Sequence, residues 1–193
     1  MDEIIKTDKK LMILLNNMGS ESFDNFWLMI SEVWIWIPFY IILLYFLYKN
    51  YRKNSFIFIL IFLILGVVIS DQLANIFKYG VERLRPCHDP SMEGLIREVK
   101  CGGKFGFYSA HASNTFFLAT YLFLLLKNKI KFLSAILIFW AIIVSYSRIY
   151  LGVHFPLDVL VGSFFGVAIG CFCGILAKIV IKKQDKIAEN QSL

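Results

Sequence analysis

The sequence predicts an all-α fold: a polytopic membrane helix bundle of about five transmembrane helices, with an N-terminal amphipathic interfacial helix. Three observations lead there. The 193 residues are 58% hydrophobic with a mean hydropathy of +0.66, too apolar for an ordinary soluble domain. Apolar runs approaching the length that crosses a bilayer, about 20 residues, recur along the chain. Short basic runs separate them on alternate turns, the pattern that sets orientation in membranes.

The elements follow in order. Met1 to Ser20 mixes Ile4, Ile5, Leu11, Met12, Leu14 and Leu15 with charges, as a helix lying on the membrane surface would. Spans are expected at Phe26–Tyr48, Phe56–Phe77, Ala112–Leu126, Phe132–Tyr146 and Leu157–Ile181. Trp27, Trp34 and Trp36 near one end of the first span read as an interfacial aromatic belt. No linker rich in proline, glycine or serine divides the chain, and no cleavable secretory signal opens it. The boundaries are therefore 1–22 for the interfacial segment, 23–183 for the transmembrane domain and 184–193 for a cytoplasmic tail.

The net charge of +6 does not indicate nucleic acid, because the basic residues sit between apolar segments. Lys49, Arg52 and Lys53 fill the first short turn, Lys127, Lys129 and Lys131 the third, and Lys178, Lys182, Lys183 and Lys186 the end. The positive-inside rule makes these regions cytoplasmic, in a bacterial inner membrane. Lys78 to Tyr108 and Ser147 to Pro156 then face the periplasm.

Gly162, Gly166, Gly170 and Gly174 recur every fourth residue and make one smooth helix face, for packing within the chain or for a homodimer seam. Cys171 and Cys173 read as apolar packing residues. Cys87 and Cys101 fall in the outward loop, where a disulfide would contribute about 3 kcal/mol. With His88 they lack a convincing fourth ligand for a metal.

Three polar clusters fall at one membrane depth: Lys78 with Arg85, Ser109 with His111, and Arg148 with His154 and Asp158. Polar groups at that depth need a reason. Taken singly, the lysine and arginines could snorkel, His111 could be structural, and Arg148 could pair with Asp158. Together they offer three fixed cations, a hydroxyl, the backbone N–H groups at the start of the third span, and two imidazoles. Phosphoryl transfer needs two such groups, one to attack phosphorus and one to protonate the leaving oxygen. Asp158, four residues after His154, can orient that imidazole. Asp71, seven residues before Lys78, is placed either to support it or to hydrogen-bond between helices.

The motifs K-x6-R-P, Y-S-A-H and S-R-x5-H-x3-D resemble the three signatures of the type 2 phosphatidic acid phosphatase (PAP2) superfamily. The middle one departs from the family's P-S-G-H at Tyr108 and Ala110. The resemblance implies that His154 is a nucleophile forming a phosphohistidine, Asp158 its orienting carboxylate, and His111 the general acid. It implies that Lys78, Arg85, Ser109, Ala110 and Arg148 hold the phosphate, with no metal and no cofactor. The substrate is then a membrane lipid phosphate. Undecaprenyl diphosphate ranks first, ahead of phosphatidylglycerol phosphate, phosphatidate and lipid A phosphates, by family analogy alone. Two other classes are a vanadium haloperoxidase, which shares the cradle, and a non-catalytic lipid-phosphate binder.

Overall fold

The structure, a computed structural model, describes residues 2–127, 129–130 and 132–190. Lys131 of the third basic turn, the first residue and the last three lie outside them. Seven α-helices follow one another: α1 (Asp2–Asn17), α2 (Asp24–Ser31), α3 (Ile37–Asn50), α4 (Lys53–Val81), α5 (Ala110–Leu126), α6 (Leu133–Tyr150) and α7 (Pro156–Asn190). Among the described residues four stretches are long and apolar enough to cross a membrane: Val33–Asn50, Lys53–Val81, Leu133–Tyr150 and Pro156–Ile187. α5 is apolar but shorter, and it runs in the middle of the bundle against α4, α6 and α7.

The expected first span is corrected at its start. Residues 24–31 form the separate helix α2, the chain is extended at Glu32, and the span begins at Val33. Apolar residues on both sides of Glu32 hide that bend from a hydropathy window. Trp27 stacks on Tyr150 at 5.2 Å, and Trp36 meets Trp140 edge-on at 5.8 Å, so only Trp34 of the three is left largely exposed.

The glycine face of α7 is covered inside the chain by α5, the packing alternative of the two expected. A Cβ on Gly162 would lie 2.5 Å from the Ser109 carbonyl oxygen, and one on Gly170 2.9 Å from that of Phe117. At Gly166 it would run into the Ser113 carbonyl oxygen and lie 2.9 Å from the Phe117 nitrogen. Glycine lets the two backbones touch, so α5 is seated on α7 at fixed depth. On its other flank, Ser70 of α4 and Ser113 share a buried hydrogen bond of 2.7 Å.

The basic ends gather as expected. Lys129 reaches across to the Asn50 carbonyl (2.8 Å), and Arg52 and Lys53 lie near Gln184 and Asp185 of α7. The polar motifs lie at the opposite end. There α1 exposes Ile4, Ile5, Leu11 and Leu14 while burying Asp8, Met12 and Asn16. It is amphipathic as expected, but its polar residues dock on the bundle.

Candidate active site

Local geometry explains how each side chain arrives. α4 ends at Glu82, whose left-handed backbone (φ 51°) turns the chain just after Lys78. The following segment is pinned antiparallel to residues 104–106: Arg85 N–H donates to Lys104 (3.1 Å), and Gly106 N–H to Arg83 (2.8 Å). Arg85 Nε also donates to the Phe105 carbonyl at 3.2 Å. The sulfur atoms of Cys87 and Cys101 lie 1.96 Å apart, at bonding distance, across the same pair of segments. Among the described residues His88 lies beside them, its Nε2 3.4 Å from Cys101 Sγ. Gly102 and Gly106 lie against Arg85: a Cβ on either would meet its guanidinium at 2.5 Å or its Cγ at 3.0 Å.

Ser109 caps α5 with its hydroxyl on the Ala112 N–H (3.4 Å), and its own N–H donates to the Asp158 carbonyl (3.0 Å). That bond ties the second motif directly to the third. α6 ends at Tyr150, and the chain turns through Gly152, whose φ of +82° suits glycine. His154 N–H donates to the Arg148 carbonyl at 3.2 Å, and Pro156 then opens α7.

The three cations and two imidazoles share one electrostatic environment. The charge of Lys78 interacts with Arg85 and Arg148, His111 with Arg148, Lys78 and His154, and His154 with Arg148 and Arg85. Arg148 is almost fully buried and hydrogen-bonds Ser31 of α2, which sequence reasoning did not single out. Burial pushes the pKa of His154 down to about 4, so its ring is neutral at neutral pH. His154 Nδ1 lies 3.7 Å from Asp158 Oδ2, longer than a hydrogen bond, and has no partner among the described residues.

Asp158 is not paired with Arg148. Its Oδ1 accepts from Arg83 at 2.8 Å, and its Oδ2 from the Phe155 N–H at 3.0 Å. Arg83 in turn binds Asp8 of α1 at 2.5 Å, and Asp8 accepts the Leu157 N–H (2.8 Å), capping α7 from another helix. Asn16 does the converse for α6, donating to the Tyr150 carbonyl at 2.8 Å and the Ile149 carbonyl at 3.2 Å. The turn carrying His154 is thus held at both ends by α1.

Asp71 forms no ion pair with Lys78; its Oδ1 accepts from Asn114 of α5 at 2.8 Å. Glu32 pairs with Lys100 at 2.7 Å, and that partner holds its carboxyl below the ordinary range. Asp89 is engaged by Lys9 at 2.8 Å, and His88 contacts the Gly102 carbonyl at 3.0 Å.

Two spaces meet at His111 and Ser31. One, about 490 Å³, is bordered by Glu32, Lys100 and Arg148. The other, about 510 Å³, runs into the bundle between apolar residues such as Tyr40, Leu63, Leu118 and Trp140. A space with charged groups on its border beside an apolar one can hold a charged head and an apolar tail.

The family model described as the PAP2 superfamily matches residues 56–180. A lipid A 4'-phosphatase of Porphyromonas gingivalis is 33% identical over 89% of this chain and 73% of its own length. An undecaprenyl-diphosphatase of Sulfolobus acidocaldarius is 32% identical over 84% of this chain and 67% of its own. The crystal structure of Aquifex aeolicus LpxE superposes with a TM-score of 0.66 at 28% identity, covering 85% of this chain and 92% of that one. A transmembrane PAP2-type phosphatidylglycerolphosphate phosphatase from Bacillus subtilis gives 0.68 at 22% identity, covering 95% and 88%, and shares the fold. The chain belongs to the PAP2 superfamily and is a membrane-spanning phosphatase of that type.

Proposed function

We propose that the chain hydrolyses the phosphate ester of a membrane lipid at the periplasmic face of the inner membrane, through a phosphohistidine on His154. The observation that carries this reading is that two spaces, one bordered by Glu32, Lys100 and Arg148 and the other largely apolar, share His111 and Ser31 as lining residues. The lipid phosphate enters the polar space while its chains occupy the apolar one. The basic ends at the far side of the bundle support the orientation.

Lys78, Arg85 and Arg148 neutralise the phosphate, with the Ser109 hydroxyl and the Ala110 N–H at the start of α5. A phosphate oxygen takes the place of Ser31 on Arg148. Neutral His154 attacks phosphorus through Nε2, the bond from phosphorus to the lipid oxygen breaks, and His111 protonates that oxygen. Asp158 accepts the Nδ1 proton's hydrogen bond as positive charge develops on the ring, closing the 3.7 Å separation. His111 then takes a proton from water, which attacks the phosphohistidine and releases phosphate. Fixed cations stabilise the charge of the transition state, so no metal is needed.

Undecaprenyl diphosphate ranked first on family analogy. The relatives move a phosphorylated acylated sugar of the lipid A kind ahead of it, because two lipid A 4'-phosphatases match 82% or more of the chain at 33–34% identity. Phosphate release from both lipids by purified protein in detergent tests the proposal. Release is expected to survive EDTA and to vanish in His154→Ala and His111→Ala; release that persists in His154→Ala would sink the mechanism.

A further inference from the structure

We infer that Asp71 reads the lipid just below its phosphate and selects substrates with a hydrogen-bond donor, an amide N–H or a hydroxyl, where the acyl chains begin. This rests on the lipid phosphatase reading above and narrows it. Asp71 is the one carboxylate among the described residues that line the 510 Å³ cavity. Asn114 holds its Oδ1 at 2.8 Å. A carboxylate only accepts, so Asn114 must present its amide N–H to it, and this fixes the pair. The other carboxylate oxygen has no hydrogen-bond partner among the described residues and is not fully enclosed, on a residue that borders the cavity and feels the charge of Lys78.

The depth is right for such a reader. Asn114 lies three residues beyond His111 on α5, nearly one turn, or about 5 Å towards the bilayer interior. An amide nitrogen or hydroxyl a few bonds from phosphorus falls there when the ester oxygen is at His111. A lipid with such a donor satisfies the free oxygen. Glycerol phosphates with ester-linked chains offer only carbonyl acceptors at that depth, and polyprenyl diphosphates only hydrocarbon. Both leave that one oxygen without a hydrogen-bond donor, which is costly once the lipid has displaced water from the cavity. Selection therefore works mainly against the wrong lipids. The class favoured is an acylated amino sugar phosphate or another amide-linked lipid phosphate.

A matched pair of substrates tests this: ceramide 1-phosphate, with an amide N–H and a hydroxyl, against phosphatidate of equal chain length, in mixed micelles. The unaltered protein is expected to prefer ceramide 1-phosphate by about tenfold in kcat/KM. In Asp71→Asn and Asp71→Ala that ratio falls to near one, chiefly because phosphatidate turnover rises once the unpaired carboxylate is gone. An unchanged ratio overturns the inference. So does an equal loss on both lipids, which would assign Asp71 to supporting Lys78 or the fold. Release from neither lipid by the unaltered protein overturns the phosphatase reading as well, which distinguishes the two failures.

Discussion

α5 has two unlike faces. Towards α7 it is clamped, with Ser109, Ser113 and Phe117 backbone atoms against the glycines of the partner helix. Towards α3 it is open, with His111, Asn114, Leu118 and Leu122 bordering the cavity. The clamped face fixes the depth and rotation of the helix; the open face can then present His111 to a space that protein atoms do not fill. A catalytic group on a helix loose on both sides would lose the alignment that phosphoryl transfer needs.

The clamp is the place to break the comparison hardest. Gly166→Leu is expected to cost about 3 kcal/mol or more, read as a lower thermal midpoint in detergent, because backbone atoms cannot yield as side chains do. Arg83→Ala strikes the neighbouring turn. It strips the ion pair from Asp158, a fully buried carboxylate, and leaves Asp8 without its cation. A loss of about 3 kcal/mol is expected, with phosphate release reduced about 100-fold as the His154 turn loosens. An intact melting curve with full activity would show that α1 merely rests on the bundle.

A milder test uses pH. Because burial depresses the pKa of His154 to about 4, the ring stays neutral and nucleophilic above that value and is protonated as pH falls through it. Histidine ring nitrogen shifts followed by NMR in detergent are expected to show neutral His154 at pH 6; a charged ring there would contradict its burial. The smallest effect belongs to the open face. Leu118→Ala enlarges a space that already exists, so its stability cost is expected within about 1 kcal/mol. If it equalled that of Gly166→Leu, the two faces would not differ as described.

Much of the site was legible because its residues announce themselves by type and spacing. Lys78, Arg85, Ser109, His111, Arg148, His154 and Asp158 are polar groups at membrane depth, and hydropathy alone makes them conspicuous. Arg83, Asp8, Asn16 and Ser31 were not legible. Their partners lie 75 to 149 residues away, and each sits where a polar residue has an ordinary explanation. Asp8 lies on an amphipathic helix, where a charge reads as a solvated face; nothing local shows that it caps α7. The glycine repeat told of close packing but not of its partner, since spacing specifies a smooth face and not what covers it. The break at Glu32 was missed for the opposite reason: apart from Ser31, the surroundings are apolar.

The most direct measurement is of the covalent intermediate. Protein mixed with a lipid phosphate is quenched in alkali within the first turnover, and its peptides are read by mass spectrometry. A single phosphoryl group on His154, acid-labile and absent from His154→Ala, is the expected result. Phosphate release without a phosphorylated His154, or with the label on another residue, would contradict the role given to that turn.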